Sequence, residues 1–195
     1  MNNIVRICLD PGHGGHDPGS SFRDTKEKDV VLKVCNYMTA ILSGVPFITP
    51  IQTRSTDIFI PLWERAKFAN TNKADFFLSI HCNADPDDDT DPMKEAQGEE
   101  IWIYKGSKRS FQYASIMKDY VDMCFHDEPF RGIKESEKLT VLKKTVMPAN
   151  IVEIGFIDKS STNRHFTDNN VLSQIATSLS LGVVEVAHKI LTKEV

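Results

Sequence analysis

Four side chains have the type and placement to do chemistry: His13, Glu27, His81 and Glu153. His13 follows the apolar run Ile4 to Leu9 and lies in the glycine-rich segment Pro11 to Gly19, where bare backbone allows close approach of a ligand. His81 directly follows Phe76 to Ile80 in the same way. Ligands of open α/β sheets bind outside the carboxyl ends of the strands, so two histidines placed there can converge on one point. Neutral imidazoles so placed are natural Zn²⁺ ligands, and a catalytic zinc takes three protein ligands while keeping one position open. Glu27, at the start of the helix that follows the His13 loop, is the best-placed carboxylate to be the third. Asp24-x-x-Glu27 also has the form of a capping box, in which the glutamate folds back on the helix start. Spacing alone leaves both roles open.

Glu153 interrupts the apolar run Ile151-Val152-x-Ile154 of an expected central strand. A carboxylate there needs a partner or a task. An apolar surround raises its pKa and readies it as a general base near neutral pH, and a buried ion pair is the competing reading. Cys82 neighbours His81, but adjacent residues of an extended chain face opposite ways, so His81 is assigned to the metal and Cys82 to the core. His16 stands in the glycine-rich loop as a substrate or supporting group, and Asn83 as one that orients substrate or His81. His126, His165 and His188 fall in polar or terminal segments and are expected to be solvated.

Other chemistries fail on spacing. The glycines at 12, 14 and 15 do not make a dinucleotide fingerprint, because its third glycine slot holds Asp17 followed by Pro18. No Gly-Lys-Ser/Thr is present to form a phosphate loop. Asp85, Asp87, Asp88, Asp89 and Asp91 lack the glycine and closing glutamate of a calcium-binding EF-hand and are expected to form a solvated loop. The cysteines at 8, 35, 82 and 124 form no CxxC, so free buried thiols are expected.

The elements that must position these groups alternate. Ile4 to Leu9, Phe47 to Thr53, Phe76 to Ile80, Glu100 to Tyr104, Val141-Leu142 and Asn150 to Phe156 read as strands. Lys28 to Leu42, Leu62 to Asn70, Ser110 to Phe125 and Val171 to Leu191 read as helices, and His126 to Lys138 as a loop. The alternation predicts a single α/β domain with a twisted, mostly parallel sheet of about six strands, flanked by helices on both faces. The 195 residues, 41% hydrophobic and 26% charged, suit one globular domain over 1–195 with no internal repeat and no separate wall-binding module. A net charge of −4 disfavours nucleic acid, which needs clustered lysine and arginine. No signal peptide is expected in the first residues, and no run approaches the ~20 apolar residues of a membrane span.

These pieces coincide with a known family. Leu9-Asp10-Pro11-Gly12-His13-Gly14-Gly15-x-Asp17-Pro18-Gly19, Glu27-Lys28-Asp29, Thr53-Arg54-x-x-Asp57, Leu62-x-x-Arg65-Ala66, Ser79-Ile80-His81-x-Asn83-Ala84 and Met147-Pro148-Ala149-x-Ile151-Val152-Glu153-Ile154-Gly155-Phe156 resemble the zinc-dependent N-acetylmuramoyl-L-alanine amidases of the amidase-3 type. The motifs run in family order over nearly the whole chain. The resemblance implies that His13, Glu27 and His81 bind one Zn²⁺ per chain and that Glu153 is the catalytic carboxylate. It thereby favours the ligand role of Glu27. The implied reaction is hydrolysis of the amide between the lactyl group of N-acetylmuramic acid and L-alanine in bacterial peptidoglycan. Arg54, Asp57 and Arg65 match family positions and are expected to form a structural ion-pair network. Asn150, Lys159 and the acidic loop depart from the pattern and bear on substrate preference more than on catalysis. A monomeric, phage-type endolysin made in the cytoplasm and acting at the cell wall is the expected setting, with an exported autolysin as the alternative. The rival functions are a non-catalytic peptidoglycan-binding or regulatory protein on the same fold, and a zinc peptidase or deacetylase.

Overall fold

A computed structural model describes residues 4–85, 97–124, 128–158 and 165–193. The main sheet contains β1 (Val5–Pro11), β4 (Ile48–Gln52), β5 (Phe76–Asn83), β6 (Glu100–Tyr104), β7 (Ile133–Ser136) and β8 (Ala149–Phe156), in the order β4-β1-β5-β8-β6-β7. All neighbours are parallel except β6 and β8. A small antiparallel hairpin, β2 (Ser21–Phe22) with β3 (Thr25–Lys26), precedes the first helix. The helices are α1 (Glu27–Leu42), α2 (Leu62–Thr71), α3 (Lys108–Asp122), α4 (Thr140–Lys144) and α5 (Asn169–Thr192).

Helices cover both faces, as the alternation predicts. On one face α1, α3 and α5 pack together, burying Val30, Val34, Met38, Met117, Leu179 and Val183 against β1, β5 and β8. On the other face the shorter α2 and α4 close a smaller core through Ala69, Val141 and Leu142 over Cys8, Phe77 and Ile151. Every strand of the central trio is thus buried on both sides, which is why their sequences read as near-continuous apolar runs. The 24-residue α5 is long and apolar enough in mean composition to cross a bilayer, although no run within it is continuously apolar. Its apolar stripe, Leu172 through Val186, is buried in the larger core, as in a core helix.

Three elements differ from expectation. Val141-Leu142 belongs to α4, not to a strand. Two adjacent apolar residues carry no period, and the choice was made by their packing beside α2. The polar stretch expected to loop out contains β7, an edge strand paired, among the described residues, only with β6 and carrying Lys134 and Glu135, as exposed edges commonly do. The capping box is not formed. The N-cap of α1 is Lys26, so Glu27 is the first helical residue and stands too early to fold back as a box requires. Cys8, Cys35 and Cys82 are buried free thiols, whereas Cys124 is half-buried.

Candidate metal centre and active site

β1 delivers its C-terminal end into the glycine loop, and His13 there adopts φ +58°, a left-handed conformation uncommon for a residue with a side chain. Buried cations hold the loop in this shape. Arg54 donates to the carbonyls of Pro11 (3.0 Å) and Gly12 (2.6 Å). Arg65 donates to the carbonyls of Pro11 and His13, both at 2.6 Å, and pairs with Asp10 at 3.0 Å. Asp57 accepts from Gly15 N (2.7 Å) and Lys28 Nζ (2.6 Å). The expected ion-pair network is therefore present through Arg65 and Asp57, while Arg54 acts on carbonyl oxygens.

The loop brings His13 to Glu27, and the strand β5 brings His81 to the same carboxylate. His81 lies within β5, which continues to Asn83 instead of ending at Ile80. Glu27 Oε1 is 3.1 Å from His13 Nε2 and 3.0 Å from His81 Nδ1, and the three ligand atoms lie within 4.8 Å of one another. The remaining hydrogen bonds anchor the carboxylate. Ser20 N donates to its Oε2 (2.8 Å) and Cys82 N to its Oε1 (3.0 Å). Asp17 Oδ2 accepts from His13 Nδ1 at 2.9 Å, which reserves Nε2 of that ring for a ligand. The space is cut to the rings: a Cβ on Gly12 would come within 2.3 Å of His81 Cε1, and one on Gly19 within 2.5 Å of Glu27 Oε2. Two imidazoles and a carboxylate, oriented and fenced in this way, can hold a metal ion.

The electrostatics agree with a site built around charge. Burial alone would favour neutral Glu27, yet its bonds to His13 and His81 hold it well below the usual carboxylate range. Burial works against the charged form of His81, but the Glu27 carboxylate outweighs it and raises the imidazole to about 9. His13 is raised for the same reason.

Glu153 stands opposite His81 in the β5–β8 register and lines the same cleft as His13, Glu27, His81 and Asn83. Its Oε2 is buried and accepts no hydrogen bond among the described residues, so the competing ion-pair reading finds no support at this oxygen. Burial raises its pKa to about 7, with His81 opposing and the Glu27 and Glu100 carboxylates adding to the rise. The Asn83 side chain makes no hydrogen bond to His81 among the described residues; its Nδ2 donates to Glu100 Oε1 at 3.1 Å. His16 is exposed and lies tilted against Phe59, with ring centroids 4.1 Å apart, outside the His13, Glu27 and His81 cluster. His188 is exposed on α5 and His165 is exposed, whereas His126, Lys159 and most of the acidic loop lie outside the described residues. Asp85, at the start of that loop, donates its N–H to Asp158 Oδ2. Asn150 is buried and donates to the Ser110 carbonyl at 3.0 Å.

Two residues of the site carry roles that the sequence reading missed. Asp17 was visible only as part of a motif, although its spacing of four from His13 is the available signal. Glu100 is reached only through the pairing of β6 with β8. His13 and His81 also border an apolar cavity of about 370 Å³ lined by Phe59, Ile60, Leu62, Leu139, Val141 and Ile151.

The Amidase_3 family, described as N-acetylmuramoyl-L-alanine amidase, matches residues 7–185. The endolysin of Bacillus phage SPP1 is 33% identical over 184 residues, covering 92% of this chain and 65% of that protein. The sporulation-specific N-acetylmuramoyl-L-alanine amidase of Bacillus subtilis (strain 168) is 30% identical over 183 residues, covering 92% of this chain and 67% of that protein. The crystal structure of N-acetylmuramoyl-L-alanine amidase from Clostridium difficile 630 superposes with a TM-score of 0.86 at 29% identity, over 94% of this chain and 96% of that one. The chain thus spans about two thirds of its curated relatives and nearly all of a solved amidase. With a family match running from β1 into α5, and the histidine and glutamate motifs brought together in one cleft, the chain belongs to the Amidase_3 family of N-acetylmuramoyl-L-alanine amidases.

Proposed function

We propose that this chain is a zinc-dependent hydrolase that cleaves the amide between the lactyl group of N-acetylmuramic acid and the L-alanine of the stem peptide in bacterial peptidoglycan. The observation that carries the reading is the gathering of His13, Glu27 and His81 within 4.8 Å in a cleft that also holds the proton-hungry Glu153. His13, Glu27 and His81 hold the metal, for which a nitrogen and oxygen donor set with one position left open suits Zn²⁺. Zinc bound there supplies Lewis-acid activation of a water and of the amide carbonyl. Glu153 takes a proton from the attacking water and returns it to the departing amine of L-alanine. Asp17 keeps His13 in the ligating tautomer, and the backbone amides of Ser20 and Cys82 fix the Glu27 carboxylate.

Residues 1–195 act as one catalytic unit, and the metal shell is complete within a single chain, which suits a monomer. The site of action is the cell wall, reached after release of a phage-type lysin or export of an autolysin. A non-catalytic wall-binding protein predicts a missing ligand or base, and all four residues are present. A peptidase or deacetylase differs only in the bond broken. Digestion of purified sacculi tests the assignment directly: new L-alanine amino termini without new reducing sugar ends are expected, and the opposite product pattern defeats it.

A further inference from the structure

Glu100 is a buried carboxylate on β6 that no step above uses. It is the register partner of Glu153 across the antiparallel β6–β8 pair, so the two side chains lie on the same face of the sheet. The oxygens of Glu100 are fully engaged. Oε1 accepts from Asn83 Nδ2 (3.1 Å) and Trp102 Nε1 (2.8 Å), and Oε2 accepts from Arg131 Nε (2.9 Å) and Lys134 Nζ. Lys134 and Arg131, both on the β7 side of the sheet, keep it ionised against its burial.

The consequence falls on Asn83, which lines the cleft with His81 and Glu153. An ionised carboxylate only accepts hydrogen bonds, so it dictates which end of the Asn83 amide is the nitrogen. The other end is fixed as well, because Asn83 Oδ1 accepts from Ala84 N at 3.0 Å. With one Nδ2 proton held by Glu100, the second is available to another acceptor, and Asn83 lines the cleft. We propose that Glu100 is a positioning residue: it orients Asn83 so that this N–H meets a carbonyl oxygen of the bound substrate beside the scissile amide. The inference rests on the amidase reading above. The surrounding cations serve the same end, because a carboxylate braced by Arg131, Lys134 and Trp102 cannot swing away from Asn83.

A double-mutant cycle on the full chain tests this, with kcat/KM measured on soluble muramoyl-peptide fragments, and zinc content and thermal melting recorded for every variant. Glu100→Gln and Asn83→Ala are each expected to lower kcat/KM about tenfold, the size of one lost hydrogen bond. The double variant is also expected to lose about tenfold, with zinc content unchanged. Losses that multiply to about a hundredfold, or a Glu100→Gln enzyme as fast as wild type, overturn the proposal. Should Glu100→Gln fail to fold, Trp102→Phe replaces it, since it removes the other donor to the oxygen that holds Asn83. That change is expected to lower kcat/KM two- to threefold, or roughly half the effect of a full hydrogen bond on the logarithmic scale, and to do nothing in an Asn83→Ala background. An equal drop in both backgrounds overturns the proposal. Wild-type protein that releases no L-alanine amino termini defeats the amidase reading itself, whereas active wild type with multiplying losses defeats only the role of Glu100.

Discussion

His81 and Glu153 stand opposite one another in the parallel pairing of β5 with β8, so that an imidazole of the candidate metal cluster and a carboxylate whose buried Oε2 has no hydrogen-bond partner among the described residues face one cleft. Neither strand places the pair alone; the register does. If Glu153 is the proton carrier, Glu153→Gln retains fold and bound metal while kcat falls by about 10²- to 10⁴-fold. Melting temperature, metal content and turnover on the same preparation check this, and a fully active variant assigns the proton transfer elsewhere.

The pH dependence follows from the same residue. Burial raises Glu153 to about 7, and a general base works only when deprotonated, so activity falls as pH drops through its pKa. A cation held by the neighbouring ligands favours the carboxylate, which moves the midpoint below this value and never above it. A profile of kcat/KM against pH is expected to show an acid limb with a midpoint at or below about 7. A limb centred well above that value removes Glu153 as the base.

Metal binding competes with protons at His13 and His81, both of which the Glu27 carboxylate holds above their ordinary pKa in the metal-free protein. Each proton must leave before the ring can ligate, so zinc affinity is expected to fall as pH is lowered from about 9, where His81 titrates. At a free zinc concentration of about 100 times Kd, binding stabilises the fold by about 2.7 kcal/mol, or roughly 5–11 °C in melting temperature. His81→Ala should abolish the shift. Competition titrations against a chelator and melting curves with and without zinc read both effects.

The bracing of the metal loop makes a separate prediction about stability. Arg65 and Asp10 form an ion pair in which both side chains are almost wholly buried, at 2% and 1% exposure. Removing one member strands the other, so Arg65→Met or Asp10→Ala is expected to cost about 3–5 kcal/mol. For a chain of this size that corresponds to roughly 6–20 °C in melting temperature. Because Arg65 also holds the His13 carbonyl, metal affinity falls with it.

Gly12→Ala separates geometry from backbone strain. Gly12 needs no left-handed conformation, yet the added methyl would meet the His81 ring at 2.3 Å. The ring must move, and zinc affinity is expected to drop at least about tenfold, the order of loss that follows from disturbing a ligand's support. Isothermal titration with zinc checks this; unchanged affinity would mean that the ring has room the structure does not provide.

Much of this arrangement was legible in the sequence for physical reasons. His13 and His81 follow apolar runs, and a strand buried on both faces leaves few places for a histidine other than its carboxyl end, where ligands bind. Glu153 was conspicuous because a carboxylate in an apolar strand needs an explanation. Glu27 was ambiguous, since a helix-start glutamate serves a cap and a ligand equally well by spacing. The β2–β3 hairpin starts α1 at Glu27 and turns the side chain toward both histidines, which leaves the capping box unformed and supports the ligand reading. Val141-Leu142 and β7 were misread because their state depends on neighbours distant in sequence: the smaller core on α2, and the free edge of β6.

Local pattern therefore determined the alternation of strands and helices, the glycine loop and the candidacy of His13 and His81, because each rests on residues within a few positions of one another. Tertiary structure alone decided that one Glu27 oxygen is shared by two histidines 68 residues apart (81 − 13 = 68), and that Glu100 stands beside Glu153. Those facts come from strand order and register, which are set by packing over the whole sheet and leave no mark on any short stretch of sequence.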